Sequence, residues 1–365
     1  MKRADILCVL SVNNASSHFS NGNGKLNDME KLIDNRTMPL KDSYNRRIDY
    51  LRVSVTDKCN LKCIYCTPKK NIKHFSGDDI LTDDEIVRFI RIAHKNGLRK
   101  VRITGGEPLL RKNILPLVAS IKEIGIRDLS LTTNGIMLSE MAVELKKAGL
   151  DRVNISLDTL DAERYRGITR GGDMTRVWEA IRASEQAGLS PVKINIVPMK
   201  GLNDDEILSF ASLTMENNFH IRFIEFMPAI GDGSWSKEKY VKSADVLKKI
   251  SPLGELYPFT FKGNGPSRNF KLRGAIGVIG IISPLSDHFC KYCNRLRLTS
   301  NGIIRPCLFS SKEIDIRTPM RSGATDEDID ALFHHAIRIK PQRHLINENT
   351  AASTGHLTAM SEIGG

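Results

Sequence analysis

No apolar run in this 365-residue chain approaches the ~20 residues needed to cross a bilayer, which excludes a membrane-spanning helix. Aromatic residues make up only 6% of the chain and nowhere alternate with Lys or Arg. That scarcity argues against a stacking platform for single-stranded nucleic acid. A secretory leader is also missing. Met1-Lys2-Arg3 precedes a short apolar stretch at residues 6–10, but Asp5 breaks into it and no small-residue cleavage site follows. These absences predict a cytoplasmic protein with neither membrane nor nucleic acid as partner.

What is present is more specific. Hydrophobic residues at 41% and charged residues at 26% are ordinary for a globular fold, while a net charge of +12 calls for an anionic partner. A polyphosphate metabolite satisfies it, and a merely solvated basic surface is the plainer alternative. Of the seven cysteines, six fall into two groups of three: Cys59, Cys63, Cys66 and Cys290, Cys293, Cys307. Cys8 stands apart. Grouped cysteines in a long chain without a leader read as metal ligands in a reducing compartment, not as disulfides.

The chain divides by texture. Residues 1–44 are rich in Asn and Ser and are expected to be a disordered extension, with Met29 and Met38 as alternative starts. From 45 to about 250, β-branched runs at 51–56, 101–104, 129–132, 153–157, 192–197 and 221–226 alternate with helical patterns. Thr82-Asp83-Asp84-Glu85 is a capping box, Asn113 a candidate cap, and Asn203-Asp204-Asp205-Glu206 a further helix start. Gly97, Gly125, Gly149 and Gly188 each follow a helical stretch, where a left-handed residue ends it. Six strand–helix units imply a parallel sheet with ligands at the carboxyl ends of its strands. An open (βα) barrel and a doubly wound sheet both fit. Residues 251–346 change rhythm and read as a smaller domain. The tail, 347–365, ends in Gly364-Gly365.

Cys59-x3-Cys63-x2-Cys66 follows the first strand. Three thiolates do not complete the four-ligand shell of structural zinc. They can hold three irons of a four-iron cluster and leave the fourth open. Zinc is the competing reading, including a six-thiolate pair of ions shared with the second group. Tyr65 just before the last cysteine, and Gly105-Gly106-Glu107-Pro108 after the second strand, make the pattern resemble the radical S-adenosylmethionine superfamily. Between the later cysteines lies Asn294-Arg295-Leu296-Arg297-Leu298, whose arginines share one side if extended and suit phosphate or a base edge.

The resemblance narrows further. Arg47-Ile48-Asp49-Tyr50-Leu51-Arg52, Thr104 to Pro108, Leu131-Thr132-Thr133-Asn134-Gly135, Asn154-Ile155-Ser156-Leu157-Asp158, Arg222 to Pro228, the Cys290 to Cys307 segment and the Gly-Gly end resemble the GTP 3′,8-cyclase family. Thr67 stands where that family often has Met. The resemblance implies an α/β fold: an incomplete (βα)6 TIM-type barrel with a smaller C-terminal domain carrying a second iron–sulfur cluster. It implies that Cys59, Cys63 and Cys66 hold a 4Fe–4S cluster, and that Tyr65, Gly106, Ser156 and Met227 contact S-adenosylmethionine. Arg52, Arg102, Thr133, Lys193, Arg295, Leu296 and Arg297 would bind GTP. Cys290, Cys293 and Cys307 would hold a second 4Fe–4S cluster whose open iron accepts guanine. The implied product is (8S)-3′,8-cyclo-7,8-dihydroguanosine 5′-triphosphate, the first step of molybdenum cofactor synthesis, catalysed by a lyase. Implied partners are a reductant such as flavodoxin or ferredoxin, a downstream cyclic pyranopterin monophosphate synthase, and a second copy in a homodimer. A peptide- or RNA-modifying radical enzyme and a zinc-stabilised nucleic-acid-binding protein are the alternatives.

Overall fold

A computed structural model describes residues 40–67, 74–228, 235–260, 265–346 and 360. The expected alternation is present: β1 (Tyr50–Ser54), α1 (Asp83–Lys95), β2 (Lys100–Thr104), α2 (Ile114–Glu123), β3 (Asp128–Thr133), α3 (Leu138–Lys147) and β4 (Arg152–Ser156). Two helices, α4 (Ala162–Thr169) and α5 (Met174–Gln186), share the next crossover to β5 (Lys193–Ile196), which α6 (Ile207–Glu216) links to β6 (His220–Ile224). Thr82 and Glu85 make the reciprocal capping box at the start of α1. Asn113 sits at the cap of α2 without a side-chain hydrogen bond, and the residue at the cap of α6 is Glu206. Gly97 and Gly149 have φ of +105° and +98°, the left-handed stop that a side chain would strain.

Strand order separates the two architectures that the alternation left open. β1 to β6 lie side by side in chain order, all parallel. A doubly wound sheet reverses its order part-way, whereas this winding runs in one direction, as in an open barrel. The helix-facing side is apolar: Leu51, Val53, Val101, Ile103, Leu129, Leu131, Val153, Ile155, Ile194 and Ile221 are fully buried. The alternate positions therefore face the lumen, and there the residues are polar or charged.

The segment from 251 onward is joined to the same sheet. After α7 (Ser243–Ile250) come β7 (Leu256–Pro258), β8 (Arg268–Leu272), β9 (Val278–Ile282), β10 (Arg295–Leu298), β11 (Ile303–Arg305) and β12 (Ile314–Asp315), then α8 (Arg317–Arg321) and α9 (Asp326–Arg338). β9 pairs parallel to β6, and β10 pairs parallel to β1. The segment thus extends both edges of one 12-stranded sheet and contributes two lumen strands.

The expected disorder of 1–44 needs a correction at its end. Leu40 is buried, and Asp42 accepts a 2.6 Å ion pair from Arg46 with both side chains almost fully enclosed. Arg46 also donates to the carbonyls of Cys290, Pro341 and Gln342. Residues 1–39, with Cys8, and the Gly364-Gly365 end lie outside the described residues. Arg46→Ala leaves a buried carboxylate uncompensated and three carbonyls without their donor. It is expected to destabilise the fold by about 3–5 kcal/mol in denaturant titration, and a loss below about 1 kcal/mol would show the clasp to be dispensable.

Candidate active site

The loop after β1 carries the first cysteine group and is pinned from two sides. Lys62 N and Ile64 N donate to Thr169 O and Ile168 O at the end of α4. Gly106 N and Glu107 N donate to Thr56 O and Lys58 O at 2.7 and 2.8 Å. A Cβ on Gly106 would stand 2.2 Å from Lys58 O, so the close approach of the two loops requires glycine here. Glu107 is wholly internal and accepts from Leu109 N, Thr133 Oγ1 and Asn134 N, and its burial raises its pKa to about 7. Asp158 binds Tyr65 Oη at 2.5 Å and Val197 N at 2.8 Å, with burial raising it to about 6.

The second group is braced just as firmly. Lys340, itself buried, donates to Arg295 O and Pro306 O at 2.7 Å, tying β10 to the turn that presents Cys307. The two groups differ electrostatically. Burial raises the Cys66 thiol to about 12, with Cys59 and Asp158 adding to it. Burial raises Cys293 too, but Arg295 and Lys340 outweigh that and bring it to about 6.

One cavity unites nearly everything the sequence singled out. All six cysteines line it, together with Tyr65, Gly106, Ser156, Met227, Arg52, Arg102, Thr133, Arg295 and Arg297. Two expected residues do not. Leu296 faces the helix layer and is fully buried in the apolar core, so its side chain has no route to a ligand. Lys193 stands at the amino-terminal end of β5, two residues before the cavity-lining Asn195. Thr133 reaches the wall, but its hydroxyl is engaged by Glu107 and Gly135 N. The neighbouring Thr132 Oγ1, Asn195 Oδ1 and Arg222 Nε are buried on the same wall with no partner among the described residues. Sequence reasoning gave these three no role, although alternation along β6 puts Arg222 in the lumen beside His220 and Ile224.

Register organises the charge. Arg297 on β10 pairs with Arg52 on β1, which pairs with Arg102 on β2. Neighbouring strands lie about 4.8 Å apart, so three guanidinium stems stand in one row. Arg102 donates to Ser130 and Arg222 to Asn154, both neutral partners. The carboxylates on the cavity wall are occupied, Asp158 as described and Glu225 by Ser243, Leu285 and Ser286. Burial and mutual repulsion lower Arg222 to about 9 and Arg297 to about 10. Burial together with Arg222, Arg152 and Arg102 lowers Lys193 to about 6. The lumen is built for a polyanion.

The cysteines fit iron clusters better than single ions. A tetrahedral zinc with bonds of about 2.3 Å holds its thiolates about 3.8 Å apart. Among the described residues the group with three ligand atoms all within 4.8 Å of one another is His288, Cys290 and His344, not either cysteine trio. Neither trio meets that spacing.

Known proteins resemble this chain over most of its length. The Radical SAM superfamily model matches residues 53–214, and the Molybdenum Cofactor Synthesis C model matches 219–346. The GTP 3′,8-cyclase of Moorella thermoacetica is 48% identical over 328 residues, covering 89% of this chain and 100% of that protein. The GTP 3′,8-cyclase of Heliobacterium modesticaldum is 49% identical over 331 residues, covering 89% and 99%. The chain belongs to the GTP 3′,8-cyclase family. As a radical S-adenosylmethionine enzyme, this cyclase-family member uses a 4Fe–4S cluster and S-adenosylmethionine. Its fold also matches solved structures. Streptococcus suis SuiB bound to S-adenosylmethionine gives a TM-score of 0.54 at 19% identity over 74% of this chain and 64% of that one. Native anSMEcpe with bound AdoMet gives 0.53 at 14% identity over 80% and 81%. Among the described residues no helix is long and apolar enough to cross a membrane.

Lys193 provides a test of the lumen's charge. With its pKa near 6 it is neutral at pH 7.5, and an entering polyanion raises that pKa, so binding takes up a proton. Affinity then falls as pH climbs from about 6 toward the higher bound-state pKa. Calorimetry with inorganic tripolyphosphate, in buffers of different ionisation enthalpy, should show uptake approaching one proton that disappears in Lys193→Met. Equal uptake in the variant would assign the proton elsewhere.

Proposed function

We propose that this chain is a lyase that converts GTP to its 3′,8-cyclised dihydroguanosine triphosphate, the opening step of molybdenum cofactor synthesis. The observation that carries the reading is the in-register row Arg297, Arg52, Arg102, which lines the same cavity as both cysteine groups. A triphosphate is an anion that such a row of guanidinium groups can bind, and each charge-assisted hydrogen bond to it contributes roughly 1.5–3 kcal/mol. Arg222, Asn195 and Thr132 add donors and an acceptor on the same wall.

Cys59, Cys63 and Cys66 would hold the first cluster, with Tyr65, Gly106, Ser156 and Met227 around S-adenosylmethionine. That pair, when bound, supplies the radical that takes hydrogen from the ribose. Cys290, Cys293 and Cys307 would hold a second 4Fe–4S cluster, whose open iron offers guanine a ligand position. The protein's own part is placement. Arg295, stacked 4.9 Å from the centre of the Phe289 ring, and Arg297 orient the base end, while Arg52, Arg102 and Arg222 draw in the phosphates and Lys193, behind the wall, takes up a proton as they enter. Fixing ribose C3′ against base C8 converts ring closure into a reaction of pre-oriented groups. The walls around both groups limit water. A reductant such as flavodoxin or ferredoxin, a downstream cyclic pyranopterin monophosphate synthase, a homodimeric state and a cytoplasmic setting belong to the same proposal, on the strength of the family.

Arg297→Ala is expected to weaken GTP binding on the order of ten- to a hundredfold while iron and sulfide content stay unchanged. Unaltered affinity would remove Arg297 from the substrate site.

The two cysteine groups are expected to fail differently. Cys63→Ala should lose the first cluster and all reductive cleavage of S-adenosylmethionine. Cys293→Ala should still release some 5′-deoxyadenosine but form no cyclised nucleotide. Quantifying both products in both variants tests the division, and near-normal cyclisation by Cys293→Ala would refute the role of the second group.

A further inference from the structure

Cys290 belongs to a second constellation that the cyclase reading does not use. Its Sγ, one ring nitrogen of His288 and one of His344 all lie within 4.8 Å of one another. His288 precedes the short turn Phe289–Tyr292 and is exposed to solvent, whereas His344 comes from the loop beyond α9 and is only 9% exposed. The two imidazoles are neighbours at a centroid distance of 4.4 Å, tilted by 35°, and Phe309 packs 4.7 Å from the His344 ring. Nδ1 of His344 is buried and makes no hydrogen bond of full geometry, although the Pro284 and Ile346 backbone lies close to its ring. A buried ring nitrogen left without a full hydrogen bond is costly, and a metal ion satisfies a lone pair as well as a donor does. His344 and Cys290 both reach the cavity wall, while His288 stands outside it, so the constellation spans from solvent to cavity.

The donor set points to a particular cation. Two imidazoles and one thiolate form a borderline-soft group that suits Zn²⁺ and disfavours Mg²⁺ or Ca²⁺. With Zn–N near 2.0 Å and Zn–S near 2.3 Å, neighbouring donors of a tetrahedral ion stand about 3.3–3.6 Å apart. The three donor atoms therefore need to close by at most about 1.5 Å, leaving a fourth position for water.

We propose that His288, Cys290 and His344 form a mononuclear site for a thiophilic divalent cation, Zn²⁺ above all, that shares Cys290 with the second cysteine trio. The two occupancies exclude each other, because an ion on Cys290 leaves only Cys293 and Cys307 for a cluster that needs three thiolates. Zinc bound before cluster assembly would then block the second cluster and spare the first.

The test uses Co²⁺ as a spectroscopic stand-in for zinc. It is added to the full-length chain before cluster reconstitution, in a background where Cys59, Cys63 and Cys66 are alanine. One equivalent should give a thiolate-to-cobalt charge-transfer band and the intense visible bands of a tetrahedral site. His344→Ala and the solvent-exposed His288→Ala should each weaken cobalt binding more than about tenfold, while Cys293→Ala and Cys307→Ala leave it intact. Bands that survive both histidine changes, or that vanish in Cys293→Ala, would overturn the proposal in favour of a cysteine-only site. In the unsubstituted chain, prior zinc loading should halve the iron taken up on reconstitution, from about eight to about four atoms. Full iron uptake with zinc retained would refute mutual exclusion. None of these readouts involves cyclisation, so their failure leaves the proposed activity untouched.

Discussion

Like charges placed side by side inside a low-dielectric lumen are the constraint to which the rest of this structure answers. Parallel pairing aligns Arg297, Arg52 and Arg102 across three adjacent strands, and Arg222 and Lys193 add to them from the opposite arc. Such crowding opposes folding through both desolvation and repulsion. Its effect is visible in the lowered proton affinities of Lys193, Arg222 and Arg297. A fold that tolerates it must gain stability elsewhere, and the apolar layer between strands and helices, from Leu51 through Phe223 to Phe333, is continuous and fully buried. The lumen spends part of that stability as preorganisation for an anion.

The same constraint explains why the second cysteine group is built into the sheet. Arg295 and Arg297 must be held in register with Tyr50 and Arg52, and only a strand paired to β1 does so. Asn294 bonds Asp49, Lys340 bridges Arg295 and Pro306, and Arg46 reaches the carbonyls of Cys290, Pro341 and Gln342. These contacts come from three distant parts of the chain and converge on one loop. The first group is held by a different device, the near-contact of Gly106 with Lys58 O, which keeps the cysteine loop against the second strand. Two rigid platforms thus face one cavity, and the chemistry between them depends on their fixed separation.

Local chemistry was legible in the chain itself: the capping box at Thr82 and Glu85, the helix stops at Gly97 and Gly149, the period-two strands, and two cysteine triplets at metal-ligand spacing. These follow from short-range sterics and ligand counting, which a few residues determine. Burial side followed too, since alternation alone puts Arg295 and Arg297 together and Leu296 opposite. What only the tertiary structure decided was pairing over long separations. It joined β10 to β1 across 245 positions, placed the later segment at both edges of one sheet, engaged Thr133 with Glu107 and left Thr132 facing the cavity, and brought His344 to Cys290. Those outcomes depend on the packing of the whole sheet, and no local stretch of sequence contains the energy that selects them.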